Sequence, residues 1–428
     1  MTLLRDLEQR GLLEQHSDPE IARLLAETRV SAYCGFDPTA SSLHVGSLLP
    51  ITMLMRLQRA GHKPVALVGG ATGMIGDPSG KSQERSLLSP EQIDENVAGV
   101  RTQLERFLDF SGPSAARMVN NGDWFAGIGF IDFLRDVGKH FSVNAMIAKE
   151  SVRARLTERE QGISYTEFSY MLIQAYDFLH LFDEGCTFQF GGSDQWGNIT
   201  AGIDLIRRKR GQSAYGFTMP LITGSDGKKF GKTEGGNVWL DAARSSPYQF
   251  FQFFLNADDR DVGRYLKFFS FRPFAEIEEI LTRGQAQPEK REAQRELARE
   301  LTARVHGHEE AERAERATSA LFGPKVGAGA DVQGALDAAV ASGAPSSTLP
   351  GGDLAGEGML LAALLSRDGV KLSPSLSGAR RDIAGGGIYL NEQRVAEEGR
   401  RVTAADLVDG KLLLRKGKKS YHIVRVEG

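Results

Sequence analysis

The sequence predicts an α/β chain: a doubly wound parallel sheet, then a helical domain, then a small α+β domain. Three observations carry this. Strand, glycine turn and helix follow one another at "VSAYCGF" with "DPTASSLHVGS", at "KPVALVGG", and at "CTFQFGG" with "SDQWGN". Strands alternating with helices imply parallel pairing, because each parallel crossover needs a connecting segment of helix length. From about residue 247 the strand signal gives way to helical stretches, and past a Gly-, Ala-, Pro- and Ser-rich segment the tail turns basic. The expected domains are 1–246 (doubly wound, with a helical insertion), 247–322 (helical), 323–353 (a linker with room for one short helix) and 354–428.

Length and composition set the frame. A chain of 428 residues exceeds one ordinary core, since single cores stop growing near ~250–300 residues. Hydrophobic residues at 41% and charged residues at 25% fit an ordinary globular protein, and a net charge of -3 excludes no class of partner, because charge can be segregated along a chain. Two cysteines, Cys34 and Cys186, are too few for a disulfide framework or a four-thiolate zinc site. A cytoplasmic location without protein-bound zinc is therefore expected. No apolar run reaches the ~18 residues of a membrane span. The N-terminal "MTLLRDLEQRGLLEQHSDPE" mixes acids into its apolar pattern, which reads as one or two amphipathic helices over 1–30 rather than a signal peptide.

In chain order, Val30–Phe36 reads as a strand and Leu48–Ala60 as a helix, with "DPTASSLHVGS" between them. A helix N-terminus offers free N–H groups and partial positive charge, a setting for phosphate. His44 there could donate to a phosphate oxygen, with Gly46 letting a planar ring approach; a capping or core histidine would look the same. "GDPSGKS" is not a Walker-type loop, because the first glycine of that motif would have to be residue 75, which is Ile75. Lys81 and Arg85 remain available to a phosphate.

The stretch Tyr165–Phe182 reads as a buried helix, apolar on nearly every side. Its exceptions, Tyr170, Gln174 and Asp177, stand at i, i+4 and i+7 and share one face. Such a stripe is either satisfied by other side chains or lines a polar cavity. In "FGGSDQWGN", Asp194 suits sugar hydroxyls or a helix N-cap equally. "SDGKKFGKTEGG" crowds Lys228, Lys229 and Lys232 on a glycine-flanked loop; a polyphosphate would relieve their repulsion, and a solvated hairpin would tolerate it. Over 371–428, twelve Lys/Arg stand against seven Asp/Glu, a local charge of +5. In "RKGKKSYHIVR", Tyr421 and His422 could stack on RNA beside those charges.

Together these stretches resemble the bacterial tyrosyl-tRNA synthetases, which are class I aminoacyl-tRNA synthetases, over essentially the whole chain. "YCGFDPTASSLHVGS" resembles that family's HIGH motif and "KFGKT" its KMSKS motif. "GDPSGKS" and "GGSDQWGNI" also match, and "ARRDIAGGGIYLNEQRV" resembles an S4-type RNA-binding domain. The resemblance implies a Rossmann-like catalytic domain, an α-helical anticodon-binding domain and an S4-like domain. It implies activation of L-tyrosine by ATP, with Mg2+, to tyrosyl-adenylate and pyrophosphate, then transfer to the 3' end of tRNA(Tyr). It also implies a homodimer, for which the apolar stretch 125–160 is a candidate interface.

The implied catalytic residues are His44, Lys229 and Lys232, with Lys81 and Arg85 assisting at the phosphates. Cys34, Gly35, Asp37, Gly46, Ser47, Gly192, Asp194 and Thr233 would complete the ATP site. Tyr33 and Asp177 would hold the phenolic hydroxyl of tyrosine, which argues for a phenol rather than an indole. Asp77, Tyr170 and Gln174 would hold its ammonium, with Gln195 near its carboxylate. Two positions depart from the motifs: Ser47 replaces the second histidine, and Gly231 replaces the first serine, which reads as a more flexible lysine loop.

Overall fold

Strand β2, Ser31–Phe36, is the axis of the first half of the chain. The computed structural model describes residues 2–427 except 80–86, 150–151, 154–155, 157–161, 226, 228–229, 234–235, 323–331, 342 and 418–419. Around β2 lies a six-stranded sheet of β1 (Gln15–His16), β2, β3 (Lys63–Val68), β4 (Arg117–Asn120), β5 (Phe188–Gly192) and β6 (Tyr215–Met219), in the order β1-β6-β5-β2-β3-β4. All neighbours are parallel except β1 with β6. The β3 and β5 interiors are buried throughout, as expected of strands covered on both faces. The chain moves one way from β2 to β4 and returns to the other side of β2 at β5. Such a reversal opens a crevice at the carboxyl ends of the two central strands.

The expected strand and helix after residue 30 are found at Ser31–Phe36 and Leu48–Arg59, and the expected buried helix at Tyr165–Asp183. That helix packs along the Trp196–Arg210 helix beside a core that includes Tyr33, Val65, Leu67 and Phe178. Residues 1–30 do form two helices, Leu3–Arg10 and Ile21–Glu27, but β1 lies between them as an edge strand.

The domain boundaries differ from those expected. The described residues fall into two units, 1–241 with 258–293, and 242–257 with 294–428. The Asp259–Phe269 and Phe274–Ala286 helices thus belong with the sheet rather than to a separate 247–322 domain. Two buried arginines explain it. Arg10 donates to the carbonyls of Ser270 and Arg272 at 3.1 and 2.7 Å, and Arg56 donates to Ser270 at 2.6 Å. The end of the Asp259–Phe269 helix therefore finds its carbonyl partners in the first unit, and Asp6 bridges both guanidinium groups.

In the second unit the Pro247–Leu255, Glu292–His306 and His308–Phe322 helices join a five-stranded sheet. The expected linker 323–353 holds one short helix, Val332–Ala341, but its Ser346–Pro350 segment is a strand that pairs in parallel with Ser420–Glu427. The small α+β part therefore starts near residue 346, not 354, while 323–331 lie outside the described residues. Gln252 donates to Thr318 at 2.7 Å and to the Tyr248 hydroxyl at 3.1 Å, and the Tyr248 ring meets Tyr421 edge-on at 6.0 Å. Tyr421 and His422 are consequently core residues, 7% and 5% exposed. His422 bonds Ser347, and burial pushes its imidazole down to about 4. The expectation that this pair stacks on RNA is overturned, because four successive buried residues place both faces of this strand inward.

Candidate functional site

The crevice at the ends of β2 and β5 is a cavity of about 490 Å³. Its lining brings together residues separated by up to 162 positions: Tyr33, Cys34, Gly35, Asp37, His44, Gly46, Ser47, Asp77, Tyr170, Gln174, Asp177, Gly192, Asp194 and Gln195. Each had been singled out in the sequence. Lys232 is exposed and does not line the cavity. Lys81, Arg85 and Lys229 lie outside the described residues, as does the side chain of Thr233.

At one end of the cavity, His44 caps the short turn Val45–Ser47 that feeds the Leu48–Arg59 helix. Its Nδ1 accepts from the Gly46 N–H at 3.0 Å. In the neutral ring this places the proton on Nε2, the form that donates. A Cβ on Gly46 would lie 2.6 Å from the imidazole, so the ring that needs this glycine is that of His44 itself.

The root of the lysine segment is stitched to the same turn. Val45 N–H donates to the Val238 carbonyl and Leu240 N–H to the Leu43 carbonyl, both at 2.9 Å. Lys232–Thr233 pairs with Gly236–Asn237, and Phe230 lines the cavity. Gly231 has φ +85°, and a Cβ there would lie 2.5 Å from Val45 Cγ2. Glycine is therefore set by backbone conformation and close approach.

The other end is polar and buried. Asp177, 2% exposed, accepts from Trp124 Nε1 at 2.9 Å and from Asn121 Nδ2 at 3.1 Å. Burial pushes its carboxyl up to about 8, against the opposing pull of those two hydrogen bonds. The chain of bonds continues: Asn121 donates to Thr72 at 3.1 Å, Thr72 donates to Asp37 at 2.7 Å, and Tyr170 donates to Asp37 at 2.9 Å. Gln195 donates to Asp77 at 2.7 Å, Gln174 to Gln195 at 3.3 Å, and Asn198 to Gln174 at 2.9 Å. The stripe read from the helix is thus satisfied by side chains and also lines a cavity. Asp37, expected beside ATP, is tied through Tyr170 and Thr72 to this end.

Two atoms break the pattern of satisfaction. The Tyr33 hydroxyl and Gln189 Oε1 are buried without a hydrogen-bond partner. Both residues line the cavity, and they are direct neighbours across β2 and β5. Burial raises the Tyr33 phenol well above its ordinary range, and the charge of nearby Asp177 adds to this. Buried polar groups without partners are rare and costly; here they sit where a bound polar group would meet them. Asn121, Trp124, Thr72, Asn198 and Gln189 had not been singled out. The signal for the first two was "NNGDW", another glycine turn after a strand.

The charge on Asp177 gives a test. An unfolded aspartate titrates near 3.8, the folded one near 8. Between these values the unfolded chain releases a proton that the fold retains, so rising pH favours unfolding; below and above the window both states agree. The stability of the wild type minus that of Asp177→Asn is expected to fall across this window by at most ~1.4 kcal/mol per pH unit. It should then level off. Urea unfolding of both proteins at several pH values measures it, and a flat difference would contradict a buried, raised carboxyl.

Comparison with known proteins places the chain in a family. Residues 25–323 match the family model described as tRNA synthetases class I (W and Y). Residues 340–424 match the tyrosine–tRNA ligase SYY-like C-terminal domain. The tyrosine–tRNA ligase of Roseiflexus castenholzii is 54% identical over 99% of both chains, and that of Opitutus terrae 52% identical over 100% of both. A C-terminally truncated mitochondrial tyrosyl-tRNA synthetase of Aspergillus nidulans superposes with TM-score 0.68 and 32% identity, covering 75% of this chain and 94% of that one. The fold is shared with an L-tyrosine complex of the Archaeoglobus fulgidus tyrosyl-tRNA synthetase, at TM-score 0.55, 18% identity, and coverage of 72% and 99%.

Proposed function

This chain belongs to the class I tRNA synthetases of tryptophan and tyrosine, and from that premise we propose that it is the tyrosine–tRNA ligase, with the roles that follow. It is an ATP-dependent ligase. A tyrosine carboxylate oxygen attacks the α-phosphorus of ATP, and the bond to pyrophosphate breaks. The 3'-terminal ribose hydroxyl of tRNA(Tyr) then attacks the adenylate carbonyl, and AMP leaves. The first step needs no general base, since the nucleophile is already ionised; positioning and charge stabilisation at phosphorus do the work.

The observation that carries the choice of tyrosine is the unpartnered Tyr33 hydroxyl, close to Asp177 at one end of a buried polar slot. A phenolic hydroxyl both donates and accepts, so it can serve Asp177 and Tyr33 together. An indole N–H only donates. Asp77, Tyr170 and Gln174 hold the ammonium in this reading, and Gln195 lies near the carboxylate. His44, Lys229 and Lys232 stabilise the phosphates, with Lys81 and Arg85 assisting. Cys34, Gly35, Asp37, Gly46, Ser47, Gly192, Asp194 and Thr233 complete the ATP site. Amino-acid-dependent exchange of pyrophosphate into ATP tests it: exchange with tyrosine and not with tryptophan is expected, and the reverse would overturn the choice.

Mg2+ accompanies ATP in this reading. Among the described residues no group of three or more His, Cys, Asp and Glu could hold a metal ion. No step here is assigned to it. The second unit carries the RNA contact, supported by the basic tail and its SYY-like match. Both cysteines are free and buried, which suits a reducing cytoplasm. Among the described residues no helix is long and apolar enough to cross a membrane.

A homodimer completes the proposal. Phe130, Ile131, Val143 and Ile147 are 65%, 70%, 58% and 40% exposed, and a cluster of large exposed apolar side chains marks an interaction site. Light scattering is expected to give twice the chain mass of 46.7 kDa, falling to one chain in Phe130→Asp/Ile131→Asp. A monomeric wild type would remove this element.

A further inference from the structure

The Pro90–Leu104 helix turns one face to the segment that delivers His44. Asn96, Gly99, Val100 and Gln103 stand at i, i+3, i+4 and i+7, on one side of that helix. Asn96 Nδ2 donates to the Pro38 carbonyl at 3.0 Å. Gln103 Oε1 accepts from the Leu43 N–H at 2.8 Å, and its Nε2 donates to Ser42 Oγ at 2.9 Å. The Ser42 hydroxyl in turn donates to the Leu43 carbonyl at 2.8 Å. At Gly99 the two backbones touch: a Cβ there would lie 2.2 Å from the Ser41 carbonyl oxygen. Glycine is a poor residue inside a helix; here its missing side chain is what admits the turn.

We propose that this face sets the position of the His44 turn during adenylate formation, with Gln103 as a positioning residue and Gly99 as the point of closest approach. The inference rests on the reading of His44 as a phosphate donor. Gln103 does not itself line the cavity. It acts on the main chain of Leu43, one residue ahead of the histidine. Both Ser42 and Gln103 are buried, 4% and 8% exposed, so water does not readily replace their bonds. The same segment is also held by the backbone bonds to Val238 and Leu240. The turn is thus tied both to a helix and to the root of the lysine segment. A donor aimed at developing charge is effective only at the right place, and a misplacement of ~1 Å from a distant change can cost about 10²-fold in rate.

Two variants test it from opposite directions. Gln103→Met releases the turn, and Gly99→Ala pushes it. The gain in helix preference of about 1 kcal/mol is set against a main-chain clash at Ser41, so circular dichroism of both variants is recorded first, and Gln103→Met carries the test where Gly99→Ala does not fold. Single-turnover adenylate formation at saturating ATP is measured per active site, with tyrosine affinity measured separately without ATP. The expected result is a rate about 10- to 100-fold lower with tyrosine affinity within about twofold. A merely structural role would reduce the active fraction and leave the rate per site unchanged, and that result would overturn the proposal. So would a loss of tyrosine affinity in step with the rate. His44→Ala separates this inference from its premise. If that variant is slow and both helix variants are normal, only the positioning role fails; if that variant is normal, the reading of the histidine fails first.

Discussion

His44→Ala is expected to slow tyrosyl-adenylate formation by about 10²–10³-fold, the cost of removing one donor aimed at charge that develops in a transition state. Tyrosine affinity in the absence of ATP should stay within about twofold. The asymmetry follows from the site. The imidazole lies on the Val45–Ser47 turn at the start of the Leu48–Arg59 helix, whereas the slot proposed for the amino acid is lined by Tyr33, Asp177 and the Gln174–Gln195–Asp77 chain. The Gly46 N–H occupies Nδ1, so the neutral ring presents a proton on Nε2. That proton gains most as the phosphorus becomes five-coordinate, and an interaction made only then raises the rate rather than the binding. Quenched-flow measurement of adenylate against equilibrium binding of tyrosine decides it. Equal losses in both would assign His44 to ground-state binding.

What could be read in advance divides along a physical line. The glycine turns were legible because a helix N-terminus after a buried strand is a local device, written in adjacent residues. Tyr170, Gln174 and Asp177 were legible because polar groups on an apolar helix break a period. Their partners were not. Asn121 and Trp124 follow a strand of only four residues, Arg117–Asn120, too short to leave a pattern, and their link to Asp177 spans more than fifty positions. The same limit displaced the domain boundary. Nothing local in Arg10 or Arg56 says that they will be buried under the carbonyls of Ser270 and Arg272. Nor does "SYHIVR" reveal that Tyr421 faces Tyr248, because a basic neighbourhood looks like a surface whichever way the ring points. Of the lysine segment, the root was legible as a glycine hairpin. Its docking on the histidine turn through Gly231 and Val45 is tertiary and was not.

Tyr33→Phe should lower the preference for tyrosine over phenylalanine, measured as the ratio of kcat/KM values, by about 10- to 100-fold. At the same time it should make the empty protein no less stable, and stabler by up to ~1 kcal/mol. Opposite signs are expected because the hydroxyl is a buried group without a partner in the fold. Removing it spares the fold a desolvated polar atom, while tyrosine loses a partner for its own hydroxyl. Phenylalanine, in the intact pocket, leaves both Tyr33 and Asp177 facing an apolar ring; in Tyr33→Phe only the carboxyl remains mismatched. The ratio therefore narrows from both directions. Asp177→Asn should narrow it as well, since the carboxyl that meets the phenolic hydroxyl is lost and the new amide NH2 is set against the Asn121 or Trp124 donor. Thermal melts beside steady-state exchange with each amino acid give both readings on one preparation. A protein that loses stability and keeps its ratio would make Tyr33 a packing residue and move recognition of the phenol away from the β2 end.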